Sequence, residues 1–268
     1  MKAPRFDYEK PKTLESALEL LGGDRDARVL AGGQSLGPLL NFRMTQPDVL
    51  VDISGLPELA ETRDEGDTVV LGARVTHSAI EDGRVPDPSR GFLARIARGI
   101  AYRAVRNRGT LGGSLAHADP AADWVTVMAL LDASLIVRGA SGERRLPAAS
   151  FLTGPLTTRL RTGELIVGLR IPKLSSQARA GYFKFNRKPG EFADAIGAVI
   201  DDPQRGVRRA VIGATEGAPF VIPDAAELLR SGSEAPISKA VTSAGFHAGT
   251  YEHRVHCAAI KRAVARLQ

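Results

Sequence analysis

Two glycine-rich segments constrain this chain more than any other feature of its sequence. They read Ala31-Gly32-Gly33-Gln34-Ser35 and Thr110-Leu111-Gly112-Gly113-Ser114, and each runs into an apolar segment with helical spacing. Because glycine has no Cβ, the backbone there can approach a phosphate closely, and free amides at a turn can donate to its oxygens. The two turns predict two backbone cradles that close on one elongated, phosphate-bearing ligand.

The first turn lacks the two common nucleotide-binding patterns. It contains neither G-x-G-x-x-G nor a phosphate loop that ends in Gly-Lys-Ser/Thr. This argues against a Rossmann dehydrogenase and against a P-loop NTPase. In the second turn, Gly109, Gly112 and Gly113 permit positive φ and close approach, while Thr110 and Ser114 supply hydroxyl donors.

A helix is predicted directly after the second turn. Asp119-Pro120 has the pattern of an N-cap followed by proline at the first helical position, and the apolar spacing continues to about Leu131. Asp123 falls in its first turn, where the helix dipole favours a carboxylate. That carboxylate could also accept a hydrogen bond from a ribityl or ribose hydroxyl.

The single cysteine, Cys257, limits the redox chemistry of the chain. It excludes an intrachain disulfide and an iron–sulfur cluster with four cysteine ligands, so an organic cofactor must carry any electrons. His253 and His256 share one helix face with Cys257, but no fourth ligand is close in sequence. We therefore expect packing there and no metal site.

Charge and hydropathy indicate an ordinary globular chain. No apolar run approaches the roughly 20 residues that span a bilayer, and the first residues lack the apolar core of a secretory signal. We expect no membrane span and a cytoplasmic location. The net charge of +6 comes without a nucleic-acid-binding motif, so no nucleic-acid partner is expected.

The order of predicted elements indicates an α+β protein with three parts. A small βαβ-like unit occupies 1–55, and a second α/β unit occupies 56–173. A polar stretch, Lys173 to Ala180, is the predicted linker. The C-terminal domain, 178–268, is predicted to combine helices with a three-stranded antiparallel sheet formed by 182–187, 195–200 and 209–213.

Five ordered segments resemble the FAD-binding medium subunit of molybdenum hydroxylases, the family of carbon monoxide dehydrogenase and the xanthine dehydrogenase flavin domain. The second turn, within Arg106-Asn107-Arg108 to Asp123, carries the most specific part of the likeness, and the first turn lies upstream at family-like spacing. The resemblance begins at Pro4 and ends at Tyr251-Glu252-His253-Arg254, so it spans nearly the whole chain. It implies a PCMH-type FAD-binding fold of two α/β subdomains, followed by the C-terminal domain of this family.

The resemblance also implies the cofactor contacts. FAD is expected to bind non-covalently, since Gln34 stands where a covalent flavin histidine would lie. In the alternating strand around Lys184 the residues alone predict a solvated lysine, whereas the resemblance places it at the flavin. Lys188 departs from the family, where arginine is frequent. The implied cofactor-binding residues are Val29, Ala31, Gly32, Gly33, Gln34, Ser35, Ile100, Thr110, Leu111, Gly112, Gly113, Ser114, Asp123, Ile166 and Lys184.

The implied function is electron transfer within a larger complex. In the family scheme, a large subunit carries molybdopterin and a small subunit carries 2Fe–2S clusters, which pass electrons through this FAD to an external acceptor. A dimer of heterotrimers is the expected assembly, with no catalytic acid or base in this chain. Two alternatives remain open: a stand-alone flavoenzyme of the same fold, and a basic nucleotide- or RNA-binding module.

Overall fold

The computed structural model describes residues 2–231 and 234–267, whose strands form three larger sheets and one short hairpin. The first sheet has the strand order β1-β3-β2, with both pairs parallel. The first glycine turn directly follows the carboxyl end of β2. The elements are β1 (Asp7–Glu9), α1 (Leu14–Gly22), β2 (Ala27–Leu30), α2 (Leu36–Asn41) and β3 (Val49–Asp52).

The second sheet is antiparallel, with the order β4-β5-β10-β6-β7, and five helices are inserted between β5 and β6. The strands are β4 (Thr62–Asp64), β5 (Thr68–Gly72), β6 (Ser134–Gly139), β7 (Gly142–Pro147), the hairpin β8 (Leu152–Gly154) and β9 (Thr157–Thr158), and β10 (Leu165–Pro172). The helices are α3 (His77–Glu81), α4 (Phe92–Arg98), α5 (Arg103–Arg106), α6 (Leu111–His117) and α7 (Asp123–Leu130).

Helix α7 lies at the centre of the molecule. All of its residues are buried, and Trp124 belongs to a core that also contains Leu71 of the second sheet and Val211 of the C-terminal sheet. The predicted start at Asp119-Pro120 is wrong, since α7 begins at Asp123. The Asp119 carboxylate instead accepts from the amide of Ala121 at 2.9 Å and stabilises a turn before the helix.

The C-terminal sheet has four strands in the order β11-β12-β13-β14, so the prediction of three strands is wrong. The missed strand, β14, has three residues and lies between Pro219 and Pro223, which hides it from a search for alternating runs. The elements are β11 (Arg179–Phe185), β12 (Ala195–Asp202), β13 (Val207–Gly213), β14 (Phe220–Ile222), α8 (Ala226–Ser231), α9 (Glu234–Ser243) and α10 (Tyr251–Val264).

The segment between β10 and β11 is fixed by hydrogen bonds from both sides. The amide of Leu174 donates to the carbonyl of Pro88 at 2.8 Å, and the amide of Ser175 donates to the carboxylate of Asp202 at 3.0 Å. The C-terminal sheet is thereby held close to the second sheet. Among the described helices, none has both the length and the apolar character that a bilayer crossing requires.

Candidate functional site

The first glycine turn offers backbone amides to a ligand. Gly33 has a φ of +72°, and the turn closes with a hydrogen bond from the amide of Gly37 to the Gly33 carbonyl at 2.9 Å. The Gln34 side chain donates to the carbonyl of Gly32 at 3.0 Å, which braces the turn. Within 2–231 and 234–267, the amides of Gly32, Gly33, Gln34 and Ser35 have no protein acceptor. These four consecutive residues are half-buried, and a run of free backbone amides is what a phosphate needs as hydrogen-bond donors.

The second glycine turn uses its amides differently from the prediction. The amides of Leu111 and Gly112 donate to the carbonyls of Val75 and Ala73, both at 2.9 Å. The next amide, that of Gly113, donates at 3.1 Å to the Thr110 hydroxyl, which caps α6. The second turn therefore docks on the end of the second sheet, and the amides of its residues 111–114 are already satisfied.

The glycines of the second turn provide space, and Gly109, Gly112 and Gly113 do not use the positive φ that glycine permits. A Cβ on Gly112 would lie 2.6 Å from the Cβ of Ala73, and a Cβ on Gly109 would lie 2.8 Å from Nε2 of His77. Real Cβ atoms do not approach neighbours so closely. These positions are glycine because neighbouring groups pack directly against the backbone.

The two turns are in direct contact. A Cβ on Gly32 would lie 2.1 Å from the carbonyl oxygen of Arg108, and the Nε of Arg108 donates to the carbonyl of Gly32 at 3.4 Å. On the other side, a Cβ on Gly113 would lie 4.0 Å from the Cβ of Ala31. The structure thus brings together the two segments that the sequence singled out, although they belong to different sheets.

A buried charged cluster lies at the start of α7. The Nζ of Lys184 is 3.0 Å from Oδ2 of Asp123, and the two side chains are only 10% and 6% exposed. The Tyr182 hydroxyl donates to Oδ1 of the same carboxylate at 2.6 Å. Burial, followed by the charge of Asp123, raises the pKa of Tyr182 well above its usual value. Lys184 is therefore an inward-facing lysine, contrary to its strand pattern.

His77 links the second turn to this cluster, and sequence reasoning missed it. Its amide donates to the carbonyl of Gly109 at 3.0 Å, and its Nδ1 accepts from Nε1 of Trp124 at 3.0 Å. Burial, with a smaller contribution from the charge of Arg106, lowers the pKa of His77 to about 4. The neutral imidazole thus joins Gly109 to the residue that follows Asp123. No local pattern around His77 indicates this role.

The three apolar candidates lie in different surroundings. Val29 is half-buried and packs against a core cluster that contains Leu14 of α1 and Leu165 of β10, whereas Ile166 is 3% exposed and belongs to the main core. The register of β10 shifts at a β-bulge between Ile166 and Gly168. Ile100 is half-buried and forms a parallel bridge with Gly190. Val167, which the sequence did not single out, packs against the same cluster as Val29 and Ala31.

Comparison with known proteins decides the family. The family model described as "FAD binding domain in molybdopterin dehydrogenase" matches residues 4–174, which include both glycine turns and Asp123. The chain belongs to this family. FAD is accordingly its cofactor, and the chain is a flavoprotein subunit of a molybdenum-containing oxidoreductase.

Individual relatives extend the similarity beyond the matched domain. The chain is 41% identical over 216 residues to the 6-hydroxypseudooxynicotine dehydrogenase complex subunit alpha of Paenarthrobacter nicotinovorans, covering 79% of this chain and 73% of the relative. It is 36% identical over 261 residues to the nicotine 6-hydroxylase medium subunit of the same organism, covering 96% and 91%. A crystal structure of carbon monoxide dehydrogenase from Hydrogenophaga pseudoflava matches with a TM-score of 0.87 and 31% identity, covering 99% and 98%.

Proposed function

We propose that this chain is the medium, FAD-carrying electron-transfer subunit of a complex with a large molybdenum-cofactor subunit and a small 2Fe–2S subunit. The relatives support this proposal, since one is named a medium subunit and another a subunit of a dehydrogenase complex. The single cysteine supports it as well, because 2Fe–2S clusters must then lie on another chain. The assembly we propose is a dimer of heterotrimers.

The observation that carries the proposal is the contact between the two turns. The free amides of Gly32 to Ser35 bind the diphosphate of FAD, and the absence of a Cβ on Gly32 lets the turns approach each other. The second turn contributes the half-buried hydroxyl of Ser114 and the capped end of α6.

Asp123 and Lys184 extend the site away from the diphosphate. The Asp123 carboxylate accepts hydrogen bonds from Tyr182 and Lys184 and has further lone pairs, so it can also accept from a ribityl or ribose hydroxyl. Lys184 keeps a third N–H after its bonds to Asp123 and to the Gly99 carbonyl. Val29, Ile100 and Ile166 complete the candidate set as apolar walls.

FAD, when bound, supplies the redox centre, which takes electrons from the small subunit and passes them to an external acceptor. The protein binds and orients the cofactor and sets the charge around it. No residue of this chain is required as a catalytic acid or base, because the hydroxylation chemistry belongs to the large subunit.

Reconstitution tests whether reduction of the flavin requires both partner subunits. The FAD-loaded chain is mixed with its large and small partner chains, which we expect to be encoded by adjacent genes, and the visible flavin absorbance is followed after substrate addition. Bleaching that requires both partner chains supports the proposal. Bleaching by the isolated chain with its own small substrate would instead support a stand-alone flavoenzyme. Retention on RNA that falls with salt, without bound flavin, would support the nucleotide- or RNA-binding module.

A further inference from the structure

A short backbone segment, residues 99–101, connects α4 to α5 and is called the strap below. Ala101 has a φ of +44°, an unfavourable backbone conformation for a residue with a Cβ. Such a conformation persists only where the surroundings enforce it. In the strap, Nη1 of Arg106 enforces it by donating to the carbonyls of Ile100 and Ala101 at 3.0 and 2.9 Å.

Arg106 is itself held rigidly by Glu81. Its Nε and Nη2 atoms donate to the two carboxylate oxygens of Glu81 at 2.7 and 3.1 Å, a bidentate pair in which the side chains are 11% and 10% exposed. This hydrogen bond is the main reason that the pKa of Glu81 is lowered. Four of the five N–H donors of the Arg106 guanidinium are therefore engaged, which fixes it in one orientation.

The opposite side of the strap touches the C-terminal domain. The Nζ of Lys184 donates to the carbonyl of Gly99 at 3.0 Å, in addition to its ion pair with Asp123. Ile100 bridges Gly190, whose φ is +89° and where a Cβ would lie 3.1 Å from the backbone of Ala101. The strap thus provides one of the two acceptors that orient the Lys184 ammonium.

We propose that Arg106 is a positioning residue of the flavin site, which holds the strap so that Lys184 is oriented beside Asp123. This inference rests on the proposed function, because it assumes that Lys184 contacts FAD. Arg106 acts through the strap and does not touch the cofactor. The two hydrogen bonds from Arg106 to the strap carbonyls orient Lys184, and a positive charge at this position is not sufficient without them.

Arg103 provides a matched control. It pairs with the same Glu81 at 2.9 Å and with Asp82 at 2.6 Å, but its side chain is 48% exposed, and in the described part of the chain it donates to carboxylates alone. Arg106→Lys keeps a positive charge beside Glu81 and removes the fork that reaches both carbonyls. Arg103→Lys makes the same chemical change without affecting the strap.

The test measures the dissociation constant of FAD from the apo chain, together with the visible circular dichroism of bound flavin. We expect Arg106→Lys to weaken FAD binding by about tenfold and to change the dichroism, since two charge-assisted hydrogen bonds are lost. Arg103→Lys should bind FAD within about twofold of the unmodified chain, as expected for an exposed ion pair. Unchanged affinity and dichroism in Arg106→Lys would overturn the inference.

A double-mutant cycle separates positioning from general destabilisation. In a Lys184→Met background, Arg106→Lys should lose most of its effect on FAD affinity, because the group it positions is already absent and only Ile100 of the strap still contributes to the site. A further tenfold loss in that background would overturn the inference. If Arg106→Lys does not fold, Glu81→Gln loosens the same fork more mildly and enters the same cycle. Absence of FAD binding by the unmodified chain would instead refute the proposed function itself.

Discussion

The ammonium of Lys184 forms a buried ion pair with the carboxylate of Asp123, with 3.0 Å between Nζ and Oδ2. Lys184 lies on β11 of the C-terminal sheet, and Asp123 begins the helix after the second glycine turn. One pair of opposite charges therefore joins the C-terminal sheet to the part of the chain that the FAD-binding family model covers. Its partners are buried, so breaking it leaves a charge without compensation.

Removal of one charge from this pair should destabilise the fold. We expect Asp123→Ala to lower the free energy of unfolding by about 3–5 kcal/mol, because Lys184 remains buried without a counter-charge. The double variant with Lys184→Met should lose less than the sum of the single changes. Urea unfolding of the apo chains measures all three. Simple additivity would show that the two groups do not interact.

Gly32, in the first glycine turn, and Gly37, in the helix that follows it, should respond oppositely to alanine. Gly32→Ala places a Cβ 2.1 Å from the Arg108 carbonyl and must separate the turns, so we expect a loss of about 1–3 kcal/mol and weaker FAD binding. Gly37→Ala, inside α2, has no atom within 4 Å of the new Cβ. It should stabilise the chain by up to about 1 kcal/mol. Thermal unfolding and FAD titration check both, and equal effects would contradict the contact between the turns.

A charge at Gly113 tests the phosphate assignment. Gly113→Asp and Gly113→Asn add side chains of similar size beside the Thr110 hydroxyl, but only the aspartate adds a negative charge. If the diphosphate lies near this position, the aspartate variant should lose more flavin than the asparagine variant, with a difference that shrinks as salt rises. The flavin content of the purified proteins reports the result. Equal retention by both variants and the unmodified chain would refute the assignment.

His77 should make stability depend on pH. Its folded pKa of about 4 lies below the usual 6.5, so between these values the unfolded chain binds more protons than the folded one. Stability supplied by the neutral imidazole is complete above about pH 6.5 and falls as pH decreases toward 4, by about 3 kcal/mol. His77→Gln should remove this part of the acid sensitivity. Urea unfolding at both pH values tests it, and identical pH slopes in the two proteins would contradict it.

The structure shows which features the sequence could predict. The positions of both glycine segments, the helix after the first one and the place of Asp123 in a first helical turn depend on local patterns, so these were predictable. The second segment is itself the start of α6, and α7 begins at Asp123 and not at Asp119. The alternation around Lys184 predicts an exposed lysine, because a strand pattern carries no information about Asp123 on another element. The resemblance supplied that information.

Other features depend on contacts between distant parts of the chain. Nothing near His77 or Arg106 in sequence identifies Trp124 or Glu81 as their partners. The free amides of the first turn and the satisfied amides of Leu111 and Gly112 could not be distinguished either, because the Ala73 and Val75 carbonyls approach only in the folded chain. Local sequence thus located the turns, whereas tertiary packing decided which of their amides stay free.

The most direct test is the flavin content of the purified chain. After acid precipitation, the supernatant is analysed for flavin by chromatography and compared with the protein concentration. We predict about one FAD per chain, released entirely into the supernatant, as a non-covalent cofactor held by hydrogen bonds requires. A chain that contains no FAD and does not take it up on reconstitution, or flavin that stays with the precipitate, would contradict this account.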